Sequence, residues 1–74
     1  MTDVFLIDTL SSNARLCSSY AKDYHDLSLR YSKNGVTYLS QTYERLSRNY
    51  AAAAERLECA IDFIRMNGDA QHAV

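Results

Sequence analysis

The sequence predicts an all-α fold: an antiparallel two-helix hairpin of the coiled-coil kind. Three observations carry that expectation. From Val36 to Ile64 the apolar residues Val36, Leu39, Tyr43, Leu46, Tyr50, Ala53, Leu57, Ala60 and Ile64 recur at steps of 3 and 4 without a break, which is a heptad seam with no use in a strand or loop. A second seam runs through Leu6, Leu10, Asn13, Cys17, Tyr20, Tyr24, Leu27 and Tyr31. Between the two stands Asn34-Gly35, and the chain holds no proline to interrupt either helix.

Helix one is expected over about 3–33, with Thr2 or Asp3 as N-cap, since either side chain can accept from the orphan N–H groups of the first turn. Its charges follow the helix dipole, with Asp3 and Asp8 early and Arg30 and Lys33 late. Asp26 and Arg30 stand at i,i+4, a pairing worth a few tenths of a kcal/mol. Gly35 supplies the left-handed residue that ends a helix, so the turn is placed at 34–35. Helix two must then begin at Val36 or Thr37, and so short a link forces an antiparallel hairpin. Asn67-Gly68 repeats the stop signal, giving helix two about 36–67 and a polar tail over 68–74.

In such a hairpin facing residues share a constant index sum. Leu6 with Ile64, Leu10 with Ala60, Asn13 with Leu57, Cys17 with Ala53 and Tyr20 with Tyr50 all sum to 70. Tyr24 with Leu46, Leu27 with Tyr43 and Tyr31 with Leu39 extend the series toward the turn. Cys59 would then face position 11, about 9 Å along the axis from Cys17 and beyond the ~7 Å reach of a disulfide. Free thiols suit a reducing compartment.

Seventy-four residues form one small domain, whose core barely offsets its chain entropy. The net charge is −1 with acids and bases interleaved, whereas nucleic-acid binding draws on a concentrated positive field. Arg45, Arg48 and Arg56 are interrupted by Glu44, Glu55 and Glu58 and read as a solvated face. No apolar run approaches the ~18 residues of a membrane span, and Asp3 stands where a signal peptide needs positive charge. The expected location is the cytoplasm.

No constellation of catalytic or metal-binding chemistry emerges. His25 and His72 lie far apart without Cys or carboxylate at ligand spacing, and no Ser, Cys and His are brought together by the pairing. The expectation is therefore a protein that is not an enzyme, with no cofactor, no metal and no small-molecule substrate. Asn13 reads as a register-setting polar group in the seam, or as a residue facing water near a mobile end. The tyrosines Tyr20, Tyr24, Tyr31, Tyr43 and Tyr50 read as core with wet hydroxyl tips, and Tyr38 as an exposed contact. Ala51 to Ala54 fit either helix propensity or the close approach of a third helix.

The open end of the hairpin is different. Val4, Phe5, Ile7, Ile61, Phe63 and Met66 gather there beyond the seam residues Leu6 and Ile64, more than two helices can cover. Each aromatic carries roughly 150–250 Å², so the surplus exceeds what a monomer tolerates. A partner is expected: a second copy completing a helical bundle, or a different protein.

The run Arg56-Leu57-Glu58-Cys59-Ala60-Ile61-Asp62-Phe63-Ile64, followed by Gly68-Asp69, resembles the end of the small type III secretion co-chaperones of the YscE/EscE kind. Those are hairpins of similar length whose second helix closes in a Leu-Glu-small-Ala-Ile-x-apolar-Ile run. The resemblance implies a cytoplasmic co-chaperone that pairs with a larger tetratricopeptide-like chaperone to hold a secretion needle subunit before export. Here helix two is longer by about one heptad and the tyrosine load is higher. The expected function is protein–protein interaction through Phe5, Leu57, Ile61, Phe63 and Ile64. A homodimeric antagonist, such as a phage-encoded inhibitor of a host regulator, is the alternative. A nucleic-acid-binding hairpin is the third reading.

Overall fold

The structure, a computed structural model, describes residues 4–73, with side-chain surroundings for 4–67. Two helices, α1 (Val4–Lys33) and α2 (Thr37–Ala73), pack antiparallel into a rod whose Cα trace measures 60 × 15 × 11 Å. The proposed caps Thr2 and Asp3 lie outside the described residues.

The turn is built as the glycine requires. Gly35 sits at φ 76°, its N–H donates to the Ser32 carbonyl at 3.1 Å, and the Val36 N–H donates to the Tyr31 carbonyl at 2.9 Å. These are the two bonds of a Schellman motif, and they satisfy carbonyls that the end of α1 would otherwise orphan. The Ser40 N–H already donates to the Val36 carbonyl at 3.0 Å, so α2 starts at once.

The second Asn-Gly does not stop its helix: α2 runs through Gly68 to Ala73. Inside a helix, glycine costs only about 1 kcal/mol relative to alanine. It ends one where the chain has packing to gain by turning, and past Gly68 no apolar seam resumes.

The pairing also differs from the expectation, by one residue on one row of each helix. The buried residues are Ile7, Ala14 and Ser28 on α1, and Ser47, Ala54 and Ile61 on α2. With half-buried Ala21 and Ser40 they form two rows of strict seven-residue spacing. The expected row of Leu6, Asn13, Tyr20 and Leu27 lies instead beside the interface, with Asn13 exposed rather than in the core. The matching row of Leu39, Leu46, Ala53 and Ala60 is half-buried. Ile7, counted as surplus, belongs to the core.

Hydrogen bonds fix the register. The Ser28 hydroxyl donates to the Ser40 carbonyl at 2.8 Å, and the Ser47 hydroxyl to the Ala21 carbonyl at 2.6 Å. Both pairs sum to 68, which places Ala14 level with Ala54 and Ile7 level with Ile61. A serine hydroxyl is one bond longer than a methyl, so reaching a carbonyl on the facing helix demands backbones at the short end of the ~8–10 Å interhelical range. Small side chains along the seam permit that approach. Ala54 thus accounts for the alanine window: the helix that comes close there is α1 itself.

Candidate protein-interaction surface

The second row of each helix, Leu10, Cys17, Tyr24 and Tyr31 facing Tyr43, Tyr50, Leu57 and Ile64, is half-buried throughout. Over the turn half its rings form a continuous ladder. Tyr31 stacks on Tyr43 (centroids 5.5 Å), Tyr43 on Tyr24 (5.7 Å), Tyr24 on Tyr50 (5.6 Å), and Tyr50 meets Tyr20 at 5.3 Å with a 47° tilt. The expected neighbours Tyr20 and Tyr50 are therefore together. Tyr24 and Tyr31 stack against Tyr43 and Tyr50 of α2, rather than facing the expected Leu46 and Leu39.

The serine–alanine row opens on the opposite broad face, which is polar. Two shallow grooves lie along it, one beside Ser11, Ser18 and Glu58, the other beside Ser28, Ser32, Ser40 and Glu44. Glu44 is held from both helices: His25 Nδ1 lies 3.3 Å from one of its oxygens and Arg48 Nε 3.3 Å from the other. Among the described residues, no group of three His, Cys, Asp or Glu side chains stands close enough to share a metal ion. Cys17, half-buried, and Cys59, exposed, are both free thiols. No helix among the described residues is long and apolar enough to cross a membrane.

The five residues singled out from sequence fall into three environments. Phe5 and Phe63 are exposed, at 81% and 66%. Leu57 and Ile64 are half-buried in the continuation of the tyrosine row. Ile61 is only 6% exposed, in the core level with Ile7. It supports the open end and offers no surface there. The one-residue change of seam phase moves it from flank to centre.

Val4 and Met66 complete the open end, at 66% and 70% exposure. Apolar residues on the first turns of α1 and the last heptads of α2 thus form a collar that the hairpin leaves uncovered. At this register Val4 stands level with Ile64, so residues 65–73 of α2 project past the described start of α1. Tyr38, 77% exposed beside the turn, and Leu16 and Leu29 on the outer flanks are isolated apolar points. Comparison with protein-family models, curated proteins and solved structures yields no match for this chain.

Proposed function

We propose that this hairpin is a non-catalytic protein-interaction module of the cytoplasm, a co-chaperone that pairs with a larger tetratricopeptide-like chaperone to hold a type III secretion needle subunit. The observation that carries the reading is the collar: Phe5, Phe63, Met66 and Val4 are mostly exposed at one end of the rod. A folded chain gains nothing by leaving two phenylalanines in water at the same end of the rod as Val4 and Met66, whereas a docking end needs such anchors. A groove between helices of the partner would receive them as helix-in-groove recognition does. The resemblance of Arg56 to Ile64 to the co-chaperone ending supplies the class of partner.

Co-expression with a tetratricopeptide-repeat chaperone and needle subunit from the same genome tests this. A soluble ternary complex is expected, lost in the Phe5→Asp/Phe63→Asp double variant while its helical circular dichroism is retained. A needle subunit held equally well without this chain, or a complex indifferent to both substitutions, overturns the reading.

A further inference from the structure

We infer that a second copy of this chain covers the broad tyrosine face, making a four-helix bundle in which the turn of each hairpin lies over the open end of the other. The face comprises the half-buried row and the row flanking it on each helix. No residue of either row is buried and none is charged. The larger apolar residues that the heptads encode therefore gather toward one broad side of the hairpin, where the helices bury them only in part. The other broad side carries the serines, His25, Glu44 and Glu58, so the molecule has one apolar layer to cover.

The shape of the face selects its occupant. Stacked rings from Tyr31 to Tyr20 bridge the valley between the helices. That leaves no groove for a single helix, and the occupant must be two helices wide. Having no charge on the face, it must be apolar across the same width. A second hairpin meets both conditions, through a two-fold, self-complementary contact. From Leu6 to Tyr31 the face runs about 38 Å along the rod at 1.5 Å per residue, across the 15 Å width of the Cα trace, a footprint of the order of the ~800 Å² that each partner gives to a standard stable interface.

Side-chain size selects the orientation. The turn half carries five tyrosines with Leu27, whereas the open half carries Asn13, Cys17, Ala53 and Ala60 among its leucines. Bulk laid on bulk would leave the other end gaping. Bulk laid on small fills the layer evenly, as close packing requires. A two-fold axis lying in the plane of the interface and crossing the rod near the middle of the face produces that match.

Sedimentation equilibrium of the wild-type chain should give twice the chain mass. Leu27→Arg/Leu46→Arg, in the flanking rows, should weaken self-association by at least about a hundredfold, some 2.8 kcal/mol at 1.4 kcal/mol per tenfold. Phe5→Asp should leave it unchanged, which separates this contact from the collar. Because two arginines on one face burden folding as well as association, orientation is read independently from spin labels at Asn34→Cys, with Cys17 and Cys59 replaced by alanine. The head-to-tail bundle places the two labels about 45 Å apart, the length of the 30-residue α1 at 1.5 Å per residue. Turns lying together would place them within about 20 Å, two interhelical spacings. A monomeric mass at high micromolar concentration, or the short label distance, overturns the proposal.

Discussion

The two halves of the rod are held by different means. Toward the turn, Gly35 locks the chain reversal, Ser28 and Ser47 bond across to backbone carbonyls, and tyrosine rings stack from helix to helix. Toward the open end the buried contacts are aliphatic, Ile7 level with Ile61 and Ala14 with Ala54, and Val4, Phe5, Phe63 and Met66 face outward. Directional bonds place the turn half in a single arrangement. The open half has little besides packing to hold it and much apolar surface to offer. Placing adhesive residues where the scaffold has least structure of its own lets docking finish what folding leaves incomplete.

The comparison breaks hardest at Ile61. Ile61→Asp puts a carboxylate into the aliphatic contact that closes the open half, with no cation of the buried row to receive it. Truncating the side chain removes packing, and the stranded charge adds desolvation cost, so a loss of about 3–5 kcal/mol is expected. In thermal melts at fixed protein concentration the variant should lose its cooperative transition or most of its helicity. A variant that melts like the wild type would show that the open half is not held by this pair.

Next in size is Ala54→Leu. The serine bonds to the facing carbonyls show how near the backbones run, and Ala54 lies in that same row. Three added carbons have no space unless the helices separate, which typically costs about 1–3 kcal/mol. Separation would also stretch Ser47 away from the Ala21 carbonyl. The check is a denaturant midpoint, compared with Ala51→Leu on the exposed side of the same alanine run, where little change is expected. Equal effects at both positions would refute close approach as the reason for the small row.

Much of this was legible in the residues, and the misreadings share one cause. The rows through Tyr24 and Tyr50 keep their seven-residue period whichever phase is chosen, so the hairpin and the turn follow directly. Their companion row is ambiguous. Leu6, Tyr20 and Leu27 are together bulkier than Ile7, Ala21 and Ser28, and a choice made by side-chain size selects them. What the interface selects is smallness, because two backbones held together by serine–carbonyl bonds exclude large side chains. The signal was present as Ala14, Ala21 and Ser28 answered by Ser40, Ser47 and Ala54 at strict sevens. Serine by itself is a solvent-facing residue type, so hydrophobicity does not mark this repeat, and without it Ile61 falls on the flank of the seam. The repeated Asn-Gly misled for another reason: a stop signal acts only where the chain after it has a seam to return to.

The smallest expected effect on stability falls on the residues most exposed. Phe5→Ser and Phe63→Ser remove rings that are 81% and 66% in water, so folding has little to lose. Surface changes of this kind stay within about 0.5 kcal/mol. The expected result is an unchanged melting curve at both positions, beside the collapse at Ile61 two residues away. Near-neutrality at Phe63 with severe loss at Ile61 would separate the side chain that builds the open end from the one available for contact. A destabilised Phe63→Ser would instead mean that its ring already has a place within the fold, and the collar would shrink to Val4, Phe5 and Met66.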